Sequence, residues 1–450
     1  MSKFKLIVDF DSTNLEHSID NSLVTVKVPF LSNKKLMYGI GNAVDKLNQE
    51  SIYPTEIGFD IMTLATMVYL ADTRISRAVH GQDSWTREIQ LQIPVSDTIL
   101  WNGQICLINR MLKFLTGDLW DISFTERTWT FNHEDQSSEK TTSFNKATLF
   151  SGGMDSLIST INLMENKENA LLIGHAGEGL IKNAQTNILK KFDESYPEIK
   201  HSLMDLWMVF PDNYIPTGEN DNNTRSRSFL FIGFGLFAIS GTANIKELMV
   251  PENGLIALNV PLDETRNGSF STRTTHPFYL NSWNELLSRL GLDLFVNNPY
   301  WNKTKGEMAD ECLNKTFLLE TMKLSFSCSS PGKARWRGLS PQHCGYCVPC
   351  IIRRAAMHKA FTNDVTVYTE NSINNMLANS STGIGIQLRS FQYAINRIKK
   401  QPGIERFLIH KTGPLQDNIK YKDELADTYR RGILEVDDFI QFLVEKETNV

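Results

Sequence analysis

Three clusters in this chain combine residue types and spacings that chemistry requires. The first is Ala147-Thr-Leu-Phe-Ser-Gly-Gly-Met-Asp-Ser-Leu-Ile158. A short apolar run ends at Phe150, two glycines follow, and a helical pattern opens at Asp155 and Ser156. Glycines admit an anion close to the backbone, and a helix start aims unbonded N–H groups at it. Phe150, Ser151, Gly152, Gly153, Met154, Asp155 and Ser156 are therefore candidates for holding a phosphorylated nucleotide. The stretch is not a Walker A loop, because no Gly-Lys-Ser/Thr ends it. The second cluster is Cys328 followed by Cys344-Gly-Tyr-Cys-Val-Pro-Cys350. Four thiolates from Cys328, Cys344, Cys347 and Cys350 make a closed tetrahedral set suited to structural zinc, with an iron–sulfur cluster as the alternative. The third is Ser271-Thr-Arg-Thr-Thr-His-Pro277, in which Ser271, Arg273 and His276 suit a polar heterocycle or a carboxylate. An ordinary polar loop is the competing reading. Thr304 is placed to cap a helix with Glu307 completing a capping box, so Lys305 beside the cap can reach a phosphate.

These residues need elements to position them. From about 145 to 360 strand-like and helix-like runs alternate: strands at Ala147–Phe150, Ala170–Gly174, Leu203–Phe210 and Glu247–Pro251, with helices at Leu157–Met164, Leu180–Phe192 and Arg227–Ser240 between them. That order predicts an α/β fold with a doubly wound parallel sheet, whose ligands sit beyond the carboxyl ends of the strands. His175, Asp212, Glu252 and Asn253 follow strand ends and should share that rim. Residues 1–143 form an N-terminal α+β domain, with strands at Lys5–Phe10, Leu23–Phe30, Glu88–Val95 and Trp120–Thr128 and a long helix over Ile57–Val79. Asp72, Arg74, Arg77 and His80 on that helix are expected to be a solvated end with i, i+4 pairs. His133–Thr142 is polar and reads as a linker. Residues 361–450 form an amphipathic helical extension, expected to close the core of its own chain.

The 450 residues, 41% apolar and 22% charged, suit two or three globular domains. A net charge of −5 disfavours a dedicated polyanion binder, although Lys333, Arg335, Arg337, Arg353 and Arg354 gather near the cysteines. The most apolar run, Phe229–Ile239, is too short to span a bilayer, and Met1–Asp9 lacks the apolar core of a signal peptide. A cytoplasmic location without membrane contact is the expectation. Clustered cysteines at this spacing then point to metal rather than disulfides.

Ser151–Ser156 resembles the PP-loop of the ATP pyrophosphatases, the adenine nucleotide alpha hydrolase-like fold. That loop, Thr304-Lys305-Gly306-Glu307 and the cysteine knuckle occur in the order found in QueC, the 7-cyano-7-deazaguanine synthase family, over residues 145–360. The added N-terminal domain and helical tail, with Pro251-Glu-Asn-Gly254 and Ser271–Pro277, resemble the longer QueC-like QatC group of the Qat anti-phage defence cassette. The resemblance implies an ATP-dependent, AMP-forming C–N ligase. It would adenylate the carboxylate of 7-carboxy-7-deazaguanine or a similar 7-deazaguanine and pass the acyl group to ammonia or to an amine on a partner protein. It implies ATP, Mg²⁺ and structural Zn²⁺ as cofactors. Asp155, Lys305 and Arg225 would be catalytic, and His175, Glu252, Asn253, Ser271, Arg273 and His276 would meet the substrate. Ser226 stands where the family has Asn after the arginine, and His175-Ala-Gly-Glu-Gly179 replaces the family's Gly-Gln-Arg-His segment. Partners from a defence cassette follow from the resemblance, with a homodimer left open. The rival readings are a non-catalytic nucleotide-binding scaffold and a PP-loop enzyme that modifies nucleic acid.

Overall fold

The computed structural model describes residues 3–131, 141–175, 179–216, 218–221, 224–264, 273–361, 363–379, 381–416 and 418–448. In the N-terminal part, β1 (Lys3–Asp9), β2 (Glu16–Asp20), β3 (Leu23–Pro29), α1 (Glu56–Arg74), β4 (Glu88–Val95) and β5 (Leu119–Glu126) build a sheet in the order β2-β3-β1-β4-β5. The β1–β3, β1–β4 and β4–β5 pairs are parallel, and only β2 runs antiparallel. β2 is exposed along its whole length and carries no apolar alternation, so its sequence gives no strand signal. The other strands alternate buried and half-exposed residues, as a sheet with one covered face requires.

The second sheet holds β6 (Lys146–Leu149), β7 (Ala170–His175), β8 (His201–Leu206), β9 (Glu247–Met249) and β10 (Phe295–Asn297), ordered β8-β7-β6-β9-β10 and parallel throughout. α2 (Met154–Glu165), α3 (Gly179–Ser195) and α4 (Arg227–Ile239) connect its strands. β7 is buried at every position and feeds two cores. Leu171 and Ile173 pack on the α4 side, while Ala170 and Leu172 pack with Ile158 of α2 and Ile188 of α3. The period of two thus places helices on both faces, which makes the sheet doubly wound. β10, only three residues long, adds an edge strand that its sequence does not announce.

The core does not divide at residue 143. α1 and α4 are apolar on nearly all sides and lie between the two sheets, with Phe59 of α1 against Phe237 of α4 at 6.4 Å between ring centroids. The end of α1 is therefore interior, and the expected solvated face is corrected. Asp72 and Arg77 are buried. The Arg77 and Arg87 guanidinium groups both donate to Asp72 and Asp118, at 2.6–2.8 Å. The expected single helix over 57–79 also stops at Arg74, where Arg87 Nη1 donates to the carbonyls of Asp72 and Ile75 at 3.0 and 2.5 Å. Those bonds satisfy carbonyls that a continuing helix would have used.

α5 (Lys305–Asp310), α6 (Val348–Ala360) and α7 (Ile419–Thr448) complete the site-bearing elements. α7 buries Leu425, Tyr429, Ile433 and Val436 in a third core with Ile351 and Ile352 of α6 and Cys344 and Cys350 of the knuckle. The C-terminal extension thus closes the core of its own chain, as its amphipathic pattern predicts.

Candidate functional site

Neighbouring strands run to opposite sides of β6, so a crevice opens past its carboxyl end. The stretch Ser151–Gly153 occupies that crevice and turns directly into α2. Gly152 sits at φ 78°, a backbone region that side chains disfavour, and an added Cβ there would lie 3.3 Å from Gln185 Cγ. Gln185 Nε2 in turn donates to the Phe150 carbonyl at 2.8 Å, and Phe326 N–H donates to the Gly152 carbonyl at 2.8 Å. The turn is thereby fixed from two sides. No side chain caps α2, and its first intrahelical bond runs from Leu157 N–H to the Gly153 carbonyl. The N–H groups of Met154, Asp155 and Ser156 have no intrahelical acceptor and face the crevice end of the helix. Phe150 and Met154 are fully buried beneath the loop, so they can serve an anion only through their backbones.

Asp155 lies under the loop with both carboxylate oxygens engaged. Lys305 Nζ donates to Oδ1 at 2.6 Å, and Asn253 donates to Oδ2 through its backbone N–H at 3.1 Å and its Nδ2 at 2.8 Å. Asn253 Nδ2 also reaches Glu252 Oε1 at 3.1 Å. Burial alone would push the Asp155 carboxyl up, but the Lys305 ammonium and the donated hydrogen bonds hold it below the ordinary carboxylate value. Glu252 is driven well above its ordinary value by burial and by the Asp155 charge. One lysine faces two buried carboxyls, so the pair favours charge on Asp155 and the proton on Glu252.

Lys305 is aimed by its surroundings. Thr304 caps α5 through the Glu307 N–H, and Glu307 returns the bond to Thr304 N–H, which completes the expected capping box. From α7, Glu435 accepts from Thr304 Oγ1 at 2.5 Å and from Gly306 N–H at 2.9 Å. Gly306 is required there, since a Cβ would fall 2.5 Å from Glu435 Oε2. Arg431 pairs with Glu307 and donates to the Asn302 carbonyl at 2.9 Å. A carboxylate about 130 residues away in sequence thus fixes the helix start that presents Lys305, and no local signal in the chain announces it.

Above this cluster lies a cleft of about 580 Å³. Ser151, Gly153, Ser156 and Glu252 form its floor, Arg227 and Phe231 of α4 one wall, and Phe326–Ser329 another. Ser151 Oγ and Ser156 Oγ lie 3.2 Å apart at the base. Beyond Ser329 and Pro331 the mouth carries Lys333, Arg335 and Trp336, whose side chain is 83% exposed. Arg227 and Phe231 were hidden inside an apolar helical run, and only the topology turns them toward the loop.

The remaining expected site residues are placed as follows. His175 is buried at the end of β7 between Tyr69 and Phe231, with neither ring nitrogen bonded among the described residues. Burial and the neighbouring Arg227 charge pull it down to about 3, so it is neutral at physiological pH. Asn253 is wholly buried and caps the helix Gly254–Leu258 through Ile256 N–H, so it orders the carboxylates from within. Arg225, Arg273 and His276 do not join the cleft. The Arg225 guanidinium lies over Trp85 and donates to the Thr116 carbonyl at 2.6 Å. That of Arg273 lies over Phe114 and donates to its carbonyl at 2.9 Å. Their neighbours Thr224, Thr274 and Thr275 line the cleft instead, because both segments are tight turns, closed by Arg227 N–H on the Thr224 carbonyl and His276 N–H on the Arg273 carbonyl. Ser271, like residues 176–178, lies outside the described residues.

The four cysteine sulfurs lie within 4.8 Å of one another. Cys328–Cys347 and Cys344–Cys350 are separated by 3.9 and 4.0 Å. A tetrahedron with metal–sulfur bonds of about 2.3 Å has edges of about 3.8 Å, so the donor set fits a Zn²⁺ ion with no open position. Backbone N–H groups of Ser330 and Cys344 donate to Cys328 Sγ, and that of Cys347 to Cys344 Sγ, each at 3.3 Å. Such bonds favour thiolate over thiol. Cys328 belongs to the cleft wall, so a metal here would brace the segment that bonds Gly152. Arg353 and Arg354 bind the carbonyls of Met322 and Asn371 around the knuckle rather than facing solvent.

No family model and no curated protein matches this chain. Among the described residues no helix is long and apolar enough to cross a membrane. The site's chemistry therefore rests on its geometry and on the motif resemblance.

Proposed function

We propose that this chain is a QueC-like PP-loop enzyme that uses ATP to adenylate the carboxylate of a 7-deazaguanine and passes the acyl group to nitrogen. The observation that carries this reading is the convergence of the Ser151–Ser156 loop, Lys305 and the Asp155–Glu252 pair at the switch point of the parallel sheet. The loop N–H groups and the start of α2 suit a phosphate chain. Lys305 lies where its ammonium can turn from Asp155 to charge developing on phosphate, and Asp155 positions it until then. Glu252, on the cleft floor, would be the carboxyl that gives up its proton to meet a cation, because both Asp155 oxygens are engaged within the protein. Mg²⁺ held by Glu252 and the phosphates would supply charge neutralisation for the triphosphate. The substrate carboxylate oxygen attacks the α-phosphorus, the bond to the bridging oxygen breaks, and pyrophosphate leaves with the electron pair. A nitrogen nucleophile then attacks the acyl carbon and AMP departs. Ammonia gives an amide, which a second activation dehydrates to a nitrile; an amine on a partner gives a conjugate.

The test is release of AMP and pyrophosphate from ATP with 7-carboxy-7-deazaguanine, with products identified by mass spectrometry. Wild-type protein should form both, and Lys305→Met should form neither while still binding ATP. Absence of AMP with ammonia and with every candidate protein amine would overturn the reading.

A further inference from the structure

Arg225 and Arg273 turn their guanidinium groups away from the cleft into a second pocket of about 130 Å³ on the other side of the same wall. Trp85, Phe114, Lys411 and Thr412 complete it. The two guanidinium groups are held over the rings, 4.2 Å from Trp85 and 4.6 Å from Phe114, and among the described residues each spends only Nη1, on a backbone carbonyl. Their other N–H groups remain for a ligand. Neither arginine, nor Lys411, forms an ion pair among the described residues. Behind the pocket, Arg77 and Arg87 pair with Asp72 and Asp118, and those two carboxylates also act on Arg225. Among the described residues, Arg273 and Lys411 have no carboxylate partner.

A neutral donor is oriented into the same space. His276 Nδ1 accepts from Phe278 N–H at 3.2 Å, so Nε2 carries the proton and donates to Thr412 Oγ1 at 3.2 Å. Thr412 is 96% buried and its own hydroxyl proton is left to point into the pocket it lines. His276 keeps this tautomer across physiological pH, because burial and the Arg273 charge pull it down to about 3. The volume is on the order of four waters at ~30 Å³ each, which matches a tetrahedral oxyanion.

We propose that this pocket binds a phosphate dianion, free or at the end of a small phosphorylated ligand. It goes beyond the adenylation reading and does not depend on it. The pocket adjoins the cleft, since Thr224 and Arg225, and Arg273 and Thr274, are chain neighbours that line one and the other.

Calorimetric titration of the full chain with inorganic phosphate, in phosphate- and sulfate-free buffer, tests it. Wild-type protein should bind phosphate saturably, with at least one site that survives Ser151→Ala. Arg273→Gln and Lys411→Gln should each weaken binding at least tenfold, whereas Ser151→Ala in the loop should leave it within twofold. Lys411 is exposed and its side chain bonds nothing described, so that variant keeps the fold. Tighter binding of ribose 5-phosphate than of inorganic phosphate assigns the pocket to a phosphate ester; equal or weaker binding assigns it to the free ion. No saturable binding by wild-type protein, an unchanged affinity in Lys411→Gln, or binding lost only in Ser151→Ala would overturn the proposal.

Discussion

Lys305→Met removes one partner of a buried pair whose side chains are only 9% and 7% exposed. Methionine fills the volume, so the change is electrostatic. Asp155 is left beside Glu252 with the two Asn253 bonds and no cation. Stranding one member of a buried pair costs about 3–5 kcal/mol. For a chain of this length that corresponds to roughly 1–2 °C per kcal/mol, an extension of the size trend, hence a fall in Tm of about 3–10 °C. The pH dependence distinguishes this cause from a packing defect. In the wild type Asp155 lies below its ordinary value, so its contribution is present above about pH 4 and lost as pH falls through its depressed folded-state value. In Lys305→Met, burial dominates and raises the Asp155 carboxyl, so its ionisation opposes folding. The deficit should then be largest at pH 7–8 and shrink toward pH 5. Thermal melts at four pH values measure it, and Asp155→Asn on the Lys305→Met background should recover at least half of the loss. A deficit below about 1 kcal/mol, one that does not change with pH, or a double variant no better than the single would refute the argument.

Other expectations follow from the same contacts. Gly306→Ala should destabilise by about 1–3 kcal/mol through collision with Glu435, and restoring the fit with Glu435→Ala should leave AMP formation impaired because Lys305 loses its brace. Elemental analysis should find one zinc per chain, absent in Cys347→Ser; iron with visible absorption near 400 nm would replace zinc by a cluster. Arg87→Met should cost about 3–5 kcal/mol by chemical denaturation, since it strands Asp72 and Asp118, and a loss under 1 kcal/mol would show that Arg77 alone neutralises them.

Much of this molecule is legible locally because its signals are local. An apolar run, two glycines and a helix start mark the turn at 151–156, and Gln185 and Phe326 then fix it. Capping by Thr304 and Glu307 needs only four consecutive residues. The alternation of strands and helices over 145–250 favours a parallel sheet covered by helices, which the structure forms as a doubly wound sheet. Cysteines at 328, 344, 347 and 350 state a metal site by spacing alone, and the sulfurs do converge. β2 and β10 left no pattern because one is exposed throughout and the other is too short to show a period.

What only the tertiary structure decided is the direction and partnership of side chains. The resemblance put Arg225 among the catalytic residues and Arg273 and His276 at the substrate, but the tight turns that carry them leave the threonines beside them lining the cleft. The polar end of α1 looked solvated because charge predicts exposure, yet two sheets share α1 and α4 and enclose it. Glu435, the residue that fixes Lys305, is fully determined as an acidic position on an amphipathic helix and undetermined as a partner. Its role depends on where that helix docks, and docking is set by long-range burial of apolar surface rather than by neighbouring residues. The chain by itself therefore specified the glycine turn at 151–156 and the thiolate set, whose geometry is local. The pairing of Asp155 with Lys305 and the separation of a second cationic pocket come only from packing, because they join segments more than 100 residues apart.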